Sequence, residues 1–356
     1  MILMKILKVL GIILFSVVVI AALALGVLTV TEYKPADTET VIADHQTLAV
    51  LETGTPLNVV AWNCGYGALG DNADFFMDGG SSVYTADQAR VTQNLTGIRD
   101  ELKALNPDLL LLQEVDLNSS RSYGTDERRI LREAMENASE AFAYNFNSLY
   151  VPYPIPPIGH VESGLLTLSR AEIRTAERIA LPCPFSWPIH IVNLKRCLLV
   201  SRLPLRGTDR ELVLINLHLE AYDSGEGKEA QTRQLITFMQ QEFDKGNYVI
   251  AGGDFNQRFT NIDQSAYPVY EGMWQPGVIE ASAFGDDFSL LMDPSIPTCR
   301  SLDRAIAGAD RTRFQFYMID GFIVSSNVHP ETVETLDLGF VNSDHNPVRM
   351  QFTLVP

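Results

Sequence analysis

Positive charge is scarce in this chain. Its 356 residues include 27 lysines and arginines against 44 aspartates and glutamates, a formal net charge of −17. A strongly acidic surface repels phosphate backbones, so the composition disfavours a processive nucleic-acid binder. It does not exclude a nuclease, because a bound metal ion and a local basic patch can overcome the overall field. The charge therefore bears on solubility more than on substrate.

Cysteine is also scarce, and its spacing matches no zinc site. Cys64, Cys183, Cys197 and Cys299 are widely separated and lack the paired spacing of zinc ligands. If the domain is extracytoplasmic, these cysteines could pair as disulfides. Cys64 and Cys197, however, lie in or beside apolar strand-like runs, where a small buried thiol is the simpler interpretation. The sequence leaves both the disulfide-bonded and the free-thiol state open. The chain shows no internal repeat or low-complexity tract.

Charge is absent altogether from residues 9–30. A helix needs about 20 apolar residues to cross the hydrocarbon of a bilayer, so this run is long enough. Lys5 and Lys8 precede it, and basic residues before a first apolar segment favour a cytoplasmic N-terminus. The pattern predicts a cytoplasmic stub at residues 1–8 and a single transmembrane anchor at residues 9–30. The remainder of the chain is then extracytoplasmic, at the cell membrane.

A cleaved signal peptide is the alternative, and it would make the protein secreted. Ala22-Leu23-Ala24 is a small-x-small cleavage pattern. Apolar residues continue past it, and the whole run is longer than the roughly 7–15 residues of a usual signal core, which favours an uncleaved anchor. Residues 31–55 are polar and predict a tether, and residues 56–356 have the size of one α/β catalytic domain.

Apolar runs bounded by turn residues recur along the globular part, with helical stretches between some of them. An apolar stripe at spacings of three and four predicts a helix within residues 85–105, and Asn106-Pro107 ends it. A second helix is predicted at residues 229–243. Strands are predicted at residues 57–62, 108–113, 164–169, 197–201, 212–217, 248–251, 317–325 and 348–355. Strands that far outnumber helices indicate a layered α/β sandwich with mixed sheets inside.

Polar residues cluster where these strands end. A buried strand that stops at a carboxylate, amide or imidazole places that group on the rim of the sheet, and several rims together make a pocket. A single such ending is ordinarily just a turn. Here the endings recur in one order along the chain: Asn63, Glu114, His218, Asp254 with Asn256, Asp320, and Asp344 with His345.

This order resembles the endonuclease/exonuclease/phosphatase superfamily, which includes deoxyribonuclease I, neutral sphingomyelinases and inositol polyphosphate 5-phosphatases. The resemblance spans nearly all of the globular part. Its most specific motifs are Gly253-Asp254-Phe255-Asn256 and Ser343-Asp344-His345-Asn346-Pro347. It implies a deoxyribonuclease I-like fold: a four-layered α/β sandwich with two mixed sheets packed face to face and helices outside.

The resemblance also implies a bound divalent metal. Hard carboxylate and amide oxygens suit Mg²⁺, and Mn²⁺ would serve as well. Glu114 matches the metal-ligating glutamate of the family, and Asp344 is assigned to the metal or to orienting the adjacent site. Asn63 would support the same ion or bind the phosphate.

Catalytic roles follow from the same resemblance. Asp254 and Asn256 would hold the attacking water and a phosphoryl oxygen. His345, oriented by Asp320, would activate the water or contact the phosphate. His218 would donate to the phosphate or protonate the leaving oxygen. With a histidine at this position, the chain resembles the deoxyribonuclease I, sphingomyelinase and 5-phosphatase branches of the superfamily. Which histidine is acid and which is base stays open.

Three further residues are candidates for substrate binding. Lys195 and Arg196 precede a strand and could contact phosphate, although a solvated or internal ion pair accounts for them equally well. His160 follows a proline-rich loop and could reach the site. The stretches 65–84 and 150–159 lack clear periodicity, which makes them candidates for shaping a substrate site.

The sequence thus predicts a membrane-anchored, monomeric, metal-dependent phosphoesterase acting on lipid headgroups or small soluble phosphoesters. An extracellular endonuclease or exonuclease is the alternative, because the same centre would cleave nucleic acid. A non-catalytic binding module that keeps the fold is a third possibility, and the complete set of polar positions counts against it.

Overall fold

The structure is a computed structural model that describes residues 2–43 and 49–356; residues 44–48 of the predicted tether lie outside this range. The longer helices are α1 Ile2–Val30, α2 Gln88–Leu105, α3 Glu127–Leu131 and α4 Glu226–Asp244. The strands are β1 Thr38–Val41, β2 Leu57–Asn63, β3 Leu109–Asp116, β4 Ser139–Val151, β5 Gly159–Ser169, β6 Thr175–Ala180, β7 Cys197–Pro204, β8 Glu211–His218, β9 Tyr248–Asp254, β10 Gln257–Phe259, β11 Gly277–Ile279, β12 Phe288–Leu291, β13 Cys299–Arg300, β14 Phe316–Tyr317, β15 Asp320–Ser325, β16 Val328–Thr335 and β17 Val348–Leu354.

Two large mixed sheets form the centre of the domain. One has seven strands in the order β1-β6-β7-β8-β9-β15-β12, and the other has six in the order β16-β17-β2-β3-β5-β4. The pairs β2–β3 and β8–β9 are parallel, and the other pairs in these two sheets are antiparallel. This architecture confirms the predicted deoxyribonuclease I-like fold.

Alternating burial explains why the sheets are covered on both faces. Val59 and Ala61 of β2 point into the core between the sheets, where they join Leu214 and Ile250 from the other sheet. Val60, the residue between them, points outward and packs under α2. On the other side, α4 covers the seven-stranded sheet with its own apolar stripe. Central strands must therefore be apolar on both faces, as the leucine run of β3 is.

Strand direction collects the polar ends at one edge. In each parallel pair of strands, the last paired residues lie side by side: Asn63 beside Gln113, and His218 beside Asp254. The antiparallel strand β15 begins at the same level, with Asp320 opposite Asp254. We call this end of the sandwich the site edge. Its position follows from the register of the strands, because parallel neighbours finish on the same side of a sheet.

The N-terminal part differs in detail from the prediction. Helix α1 begins at Ile2, so the predicted stub at residues 1–8 is mostly helical and continuous with the apolar run. In the described part of the chain, α1 is the one helix long and apolar enough to cross a membrane, and a signal sequence would pass the same test.

The predicted tether at residues 31–55 is not a free linker along its whole length. Thr38–Val41 forms β1 and pairs with β6 at the edge of the seven-stranded sheet. The prediction missed this strand because an edge strand is only half buried, and its sequence Thr-Glu-Thr-Val therefore carries no apolar run.

Candidate active site at the site edge

The eight strand-end residues converge on the site edge. Parallel and antiparallel strands end or begin there, so residues nearly 300 positions apart come within contact distance, as Trp62 Nε1 and the carbonyl oxygen of His345 do at 2.8 Å. A serine ties the loop between β16 and β17 to the end of β2, because Ser343 Oγ donates to the carbonyl oxygen of Asn63 at 2.7 Å. The site is thus built on rigid strand ends.

Asp254 lies at the centre of the arrangement. Its Oδ2 accepts a hydrogen bond from Asn63 Nδ2 at 3.0 Å, and its Oδ1 accepts one from the backbone N–H of Asn256 at 2.9 Å. The same Oδ2 lies 3.4 Å from His218 Nε2 and 3.8 Å from His345 Nε2. Burial raises the pKa of Asp254 and the charge of Asp320 raises it further, against the lowering effects of His345 and of the Asn63 hydrogen bond.

His345 is held by Asp320. His345 Nδ1 and Asp320 Oδ2 are 2.9 Å apart, and both residues are buried. Asp320 is held in turn by Thr298, whose hydroxyl oxygen accepts the backbone N–H of Asp320 at 3.1 Å. Burial lowers the pKa of His345, but the charge of Asp320 and other neighbouring negative groups outweigh it, so the pKa lies well above its ordinary value. With Nδ1 occupied, the ring presents Nε2 to the site.

His218 has a different environment. Burial lowers its pKa well below the ordinary value, and the positive charges of Arg196 and His345 lower it further. Its Nδ1 has no hydrogen-bond partner among the described residues and lies 3.9 Å from Glu114 Oε1. The two imidazoles therefore favour opposite protonation states, which is a common arrangement where acid and base roles are divided.

Glu114 turns into the site because β3 is irregular there. Its φ of 53° lies in the left-handed region, and the pairing of β3 with β5 shifts register between Leu112 and Val115. Such irregularities re-aim side chains at functional sites. Glu114 Oε2 is buried without a hydrogen-bond donor among the described residues. Burial raises the pKa of Glu114, with Arg121 lowering it and Asp344 raising it further.

The residues at this edge fit a hard divalent cation. An unpartnered buried carboxylate oxygen is costly unless a cation or water satisfies it, and Glu114 Oε2 is such an atom. Asp344 is also buried, and burial raises its pKa against the lowering charges of His345 and Arg300. Oxygen ligands of this kind are those that Mg²⁺ prefers. Both carboxylates would gain from a positive charge beside them.

Asn63 and Asn256 orient their neighbours. Asn63 Nδ2 donates a hydrogen bond to Asp254, while Asn63 Oδ1 accepts one from the backbone N–H of Gly65 at 3.0 Å. Asn256 has a φ of 51°, and its Nδ2 donates to the carbonyl oxygen of Leu219 at 2.9 Å. Both amides thus lie in the site, and each has at least one group committed to holding the local backbone.

Lys195, Arg196 and His160 make their polar contacts elsewhere. Lys195 Nζ lies 2.9 Å from Glu32 Oε1. Arg196 is buried behind His218 and donates to the His218 carbonyl oxygen at 3.0 Å and to Glu220 Oε2 at 3.2 Å. The internal ion pair that the sequence left open is therefore what the structure shows for both. His160 Nε2 lies 3.3 Å from Glu162 Oε1, on the hairpin of β4 and β5.

Three residues that the sequence did not single out lie at the site. Asp78 is hydrogen-bonded by Tyr222 Oη at 3.2 Å, and burial followed by the charge of Asp344 raises the pKa of Asp78 to about 7. Cys299 pairs with His345 in an isolated bridge, and its sulfur lies within 4.8 Å of ligand atoms of Asp344 and His345. The aperiodic stretch 65–84 pointed to the region of Asp78. No local pattern marked Tyr222 or Cys299.

All four cysteines, which lie in the described part of the chain, are free. Behind Glu114, Arg121 forms a two-pronged ion pair with Asp116 at 2.9 and 3.0 Å and stacks 3.7 Å over the ring of Tyr66. These contacts of Arg121 stabilise the end of β3, which carries Glu114.

Two mixed sheets packed face to face, with carboxylates, amides and paired histidines gathered at the ends of their strands, define a hydrolase of the deoxyribonuclease I-like class. The chain belongs to the Endonuclease/Exonuclease/phosphatase family, whose sequence model matches residues 60–345. Members of this family are phosphoesterases and nucleases, so the chain is of the hydrolase class. No protein of curated function matches the chain in sequence.

Solved structures share the fold at low sequence identity. An endonuclease/exonuclease/phosphatase from Beutenbergia cavernae DSM 12333 is 16% identical with a TM-score of 0.56, over 84% of this chain and 72% of that one. A family protein from Leptotrichia buccalis C-1013-b is 12% identical with a TM-score of 0.53, over 84% and 100%. The human nocturnin catalytic domain with bound sulfate anion is 15% identical with a TM-score of 0.51, over 88% and 97%.

Proposed function

We propose that this protein is a divalent-metal-dependent phosphoester hydrolase, a phosphodiesterase or phosphatase, displayed on the outer membrane surface. The observation that carries the proposal is the position of Asp254. Its Oδ2 lies within 3.8 Å of the Nε2 atoms of both His218 and His345. His218 Nδ1 in turn lies 3.9 Å from the carboxylate of Glu114, whose Oε2 has no partner among the described residues. Phosphoester hydrolysis needs an activated water, neutralised phosphoryl charge and help for the leaving oxygen, and these groups would supply all three.

Glu114 and Asp344 would hold the metal, with Asn63 beside them. Mg²⁺, or Mn²⁺ in its place, would neutralise charge on the phosphoryl oxygens when bound. Burial raises the pKa of both carboxyl groups above its ordinary value, because negative charge is poorly solvated there. A cation is therefore the natural partner for this wall of the site.

Asp254 and Asn256 would position the attacking water in line with the leaving group. The water loses a proton as it attacks, and the carboxylate of Asp254, or the Nε2 of His345 when its ring is neutral, would accept that proton. Asp320 stabilises charge on His345, as a carboxylate does for any histidine that takes up a proton. His218, whose Nε2 lies 3.4 Å from Asp254 Oδ2, would contact the phosphate or, once protonated, pass a proton to the leaving oxygen.

The substrate would be a phosphoester in a lipid headgroup or a small soluble molecule. A membrane span at residues 9–30 keeps the domain near lipid, and the net charge of −17 disfavours a long polyanion. The full chain in detergent or a lipid nanodisc with Mg²⁺ should hydrolyse members of a panel of sphingomyelin, phosphoinositides and small phosphomonoesters. Plasmid DNA belongs in the same panel.

The Asp254→Ala variant should lose activity by a factor of about 10²–10⁴ or more. Asp263→Ala is the matched control, since Asp263 is fully exposed and bonds only within its own loop. Cleavage of DNA with the lipids and phosphomonoesters untouched would reverse the preference and make the protein a nuclease. Absence of turnover across the panel, with binding that His345→Ala leaves unaffected, would favour a binding module instead.

A further inference from the structure

The apolar helix joins the catalytic domain at the site edge. Strand β1 begins at Thr38, opposite Ile179 near the end of β6. That end of β6 pairs with the start of β7. The start of β7 pairs in turn with the end of β8, where Leu217 precedes His218. His218 in turn lies beside Asp254. The chain therefore enters the domain from α1 at the level of the catalytic residues, and β1 then runs away from them.

The junction between helix and domain is held by specific contacts. Glu32, two residues after the end of α1, has a side chain that is only 4% exposed. Its Oε1 lies 2.9 Å from Lys195 Nζ and 2.7 Å from His190 Nδ1. In the last turn of α1, Thr29 Oγ1 accepts a hydrogen bond from Trp187 Nε1 at 3.4 Å. The helix is thus fixed to the domain by a buried carboxylate rather than by a flexible linker.

Exposed apolar side chains surround this end of the molecule. They come from the β4–β5 hairpin, from the segment before β7 and from the loop before α2, and they are large: Ile155 is 94% exposed and Tyr153 is 70% exposed. We call the set the apolar rim: Met77, Tyr150, Tyr153, Ile155, Trp187 and Ile189.

The three segments that carry the rim pack against one another from the helix to the mouth of the site. Below the surface, Val192 and Leu194 of the segment that carries Trp187 pack against Val151 and Val161 of the hairpin. The hairpin then reaches the loop before α2, where the rings of Tyr153 and Phe76 meet edge to face at 6.0 Å. Two residues after Phe76 comes Asp78, which receives the hydrogen bond of Tyr222 beside the catalytic groups.

We propose that the apolar rim docks into the interface of the same membrane that holds α1, so that the active site opens onto the lipid headgroups of that membrane. Tryptophan and tyrosine favour the boundary between headgroups and acyl chains, and exposed isoleucine gains by leaving water. A contiguous exposed apolar patch marks an interaction surface, and its continuity with the end of α1 identifies the partner as the bilayer. The six side chains of the rim are apolar or aromatic, so docking uses apolar burial and works on zwitterionic lipid.

The proposal also names the substrate class as a phosphoester in a membrane lipid, and that part rests on the proposed function. The docking rests on the membrane span of α1 and not on the hydrolysis of a phosphoester. A site at the end of the sandwich nearest the membrane receives headgroups without extracting the lipid, whereas a site at the opposite end would receive soluble molecules only.

Tryptophan fluorescence in brominated lipid tests the docking directly. The full chain is reconstituted in phosphatidylcholine with brominated acyl chains, in a Trp187→Phe background that removes the tryptophan next to α1. Ile155→Trp adds a reporter on the rim. Val355→Trp is the matched control: Val355 is 43% exposed and follows β17 at the opposite edge of the sheets, where β17 pairs with the start of β2. Trp62 and Trp274 give a constant background.

We expect the added fluorescence of Trp at position 155 to be lost in brominated lipid and that at position 355 to persist. Equal quenching at both positions, or none at position 155, would overturn the docking. As a second readout, Ile155→Asp combined with Tyr153→Asp should lower hydrolysis of a phospholipid in the same bilayer by about tenfold or more. Hydrolysis of a soluble phosphomonoester should stay unchanged.

The two proposals fail separately. Quenching at position 155 without hydrolysis of any phosphoester would leave the docking standing and reject the proposed function. Hydrolysis of soluble phosphoesters without quenching at position 155 would reject the docking and leave the proposed function standing. Equal loss on soluble and membrane substrates in the double variant would show that the rim supports the site itself rather than its approach to lipid.

Discussion

At the scale of single residues, the contact of 2.9 Å between His345 Nδ1 and Asp320 Oδ2 sets the orientation of an imidazole that faces the reacting groups. Asp320→Asn keeps the size of the side chain but removes the charge that favours protonated His345. We expect kcat to fall by about 10²–10⁴, as for other histidines deprived of their carboxylate. Steady-state kinetics with Mg²⁺ on the best substrate of the panel measures the loss.

A double-mutant cycle separates this role from general damage. In a His345→Ala background, Asp320→Asn should lower kcat little further, because the carboxylate acts through the ring that is already gone. Independent, additive losses would contradict the pairing. Thermal unfolding of each variant shows whether the fold is retained.

Asp78 should make the stability of the metal-free protein depend on pH. Its pKa is about 7 in the folded protein against an ordinary 3.8, mainly because it is buried. Between these values the folded state keeps a proton that the unfolded chain releases, so stability falls as the pH rises from about 4 to about 7. Asp78→Asn removes this loss and should raise the free energy of unfolding at pH 8 by on the order of 1 kcal/mol, measured by urea unfolding in EDTA.

Asp74, in the same loop, is the control with the opposite sign. Burial raises its pKa, but hydrogen bonds from Ser82 and Ser81 outweigh burial and hold the pKa below its ordinary value. Its contribution to stability is therefore present above the ordinary pKa and lost as the pH falls through the folded value. Asp74→Asn should lower stability at pH 8. A change of the same sign in both variants would contradict the assignment.

At the scale of secondary-structure elements, the buried pair Arg196–Glu220 ties the start of β7 to the end of β8. Both side chains are nearly inaccessible, and Arg196 also holds the carbonyl oxygen of His218. Arg196→Met leaves Glu220 buried without its cation, which should cost about 3–5 kcal/mol in urea unfolding. Adding Glu220→Gln should restore most of the loss, because the amide oxygen can still accept the backbone N–H groups of Ala221 and Tyr222.

The same variants decide between the two interpretations of Arg196. A structural cation predicts the stability losses just described, together with a lower kcat from a displaced His218. Normal stability of Arg196→Met with a raised KM for every phosphoester would instead indicate the phosphate contact that the sequence allowed.

At the scale of the whole molecule, an acidic protein gathers buried carboxylates at one end, and a cation there should stabilise the fold. At a Mg²⁺ concentration about 100 times its Kd the gain is about 2.7 kcal/mol, visible as a higher Tm than in EDTA. Glu114→Gln should remove most of the gain, and the exposed Glu136→Gln should keep it. NaCl at equal ionic strength controls for screening; an equal rise in Glu114→Gln would place the ion elsewhere.

Much of the fold could be predicted because its signals are local. The leucine run of β3 and the stripe of α2 show burial within a few residues, and a polar residue at the end of a strand lies on a sheet rim in any topology. The sequence did not predict β1, because its residues are polar and form a strand only through pairing with β6.

The sequence by itself determined the family, the layered sandwich, the apolar N-terminal helix and the polar residues at the strand ends, since each is written in short motifs or in periodicity. Only the tertiary structure decided that Arg196 and Lys195 pair internally, that Asp78, Tyr222 and Cys299 lie at the site, and that the helix enters at the site edge. These facts depend on contacts between residues far apart in the chain. Such contacts are set by strand register and loop packing, which leave no local pattern to read.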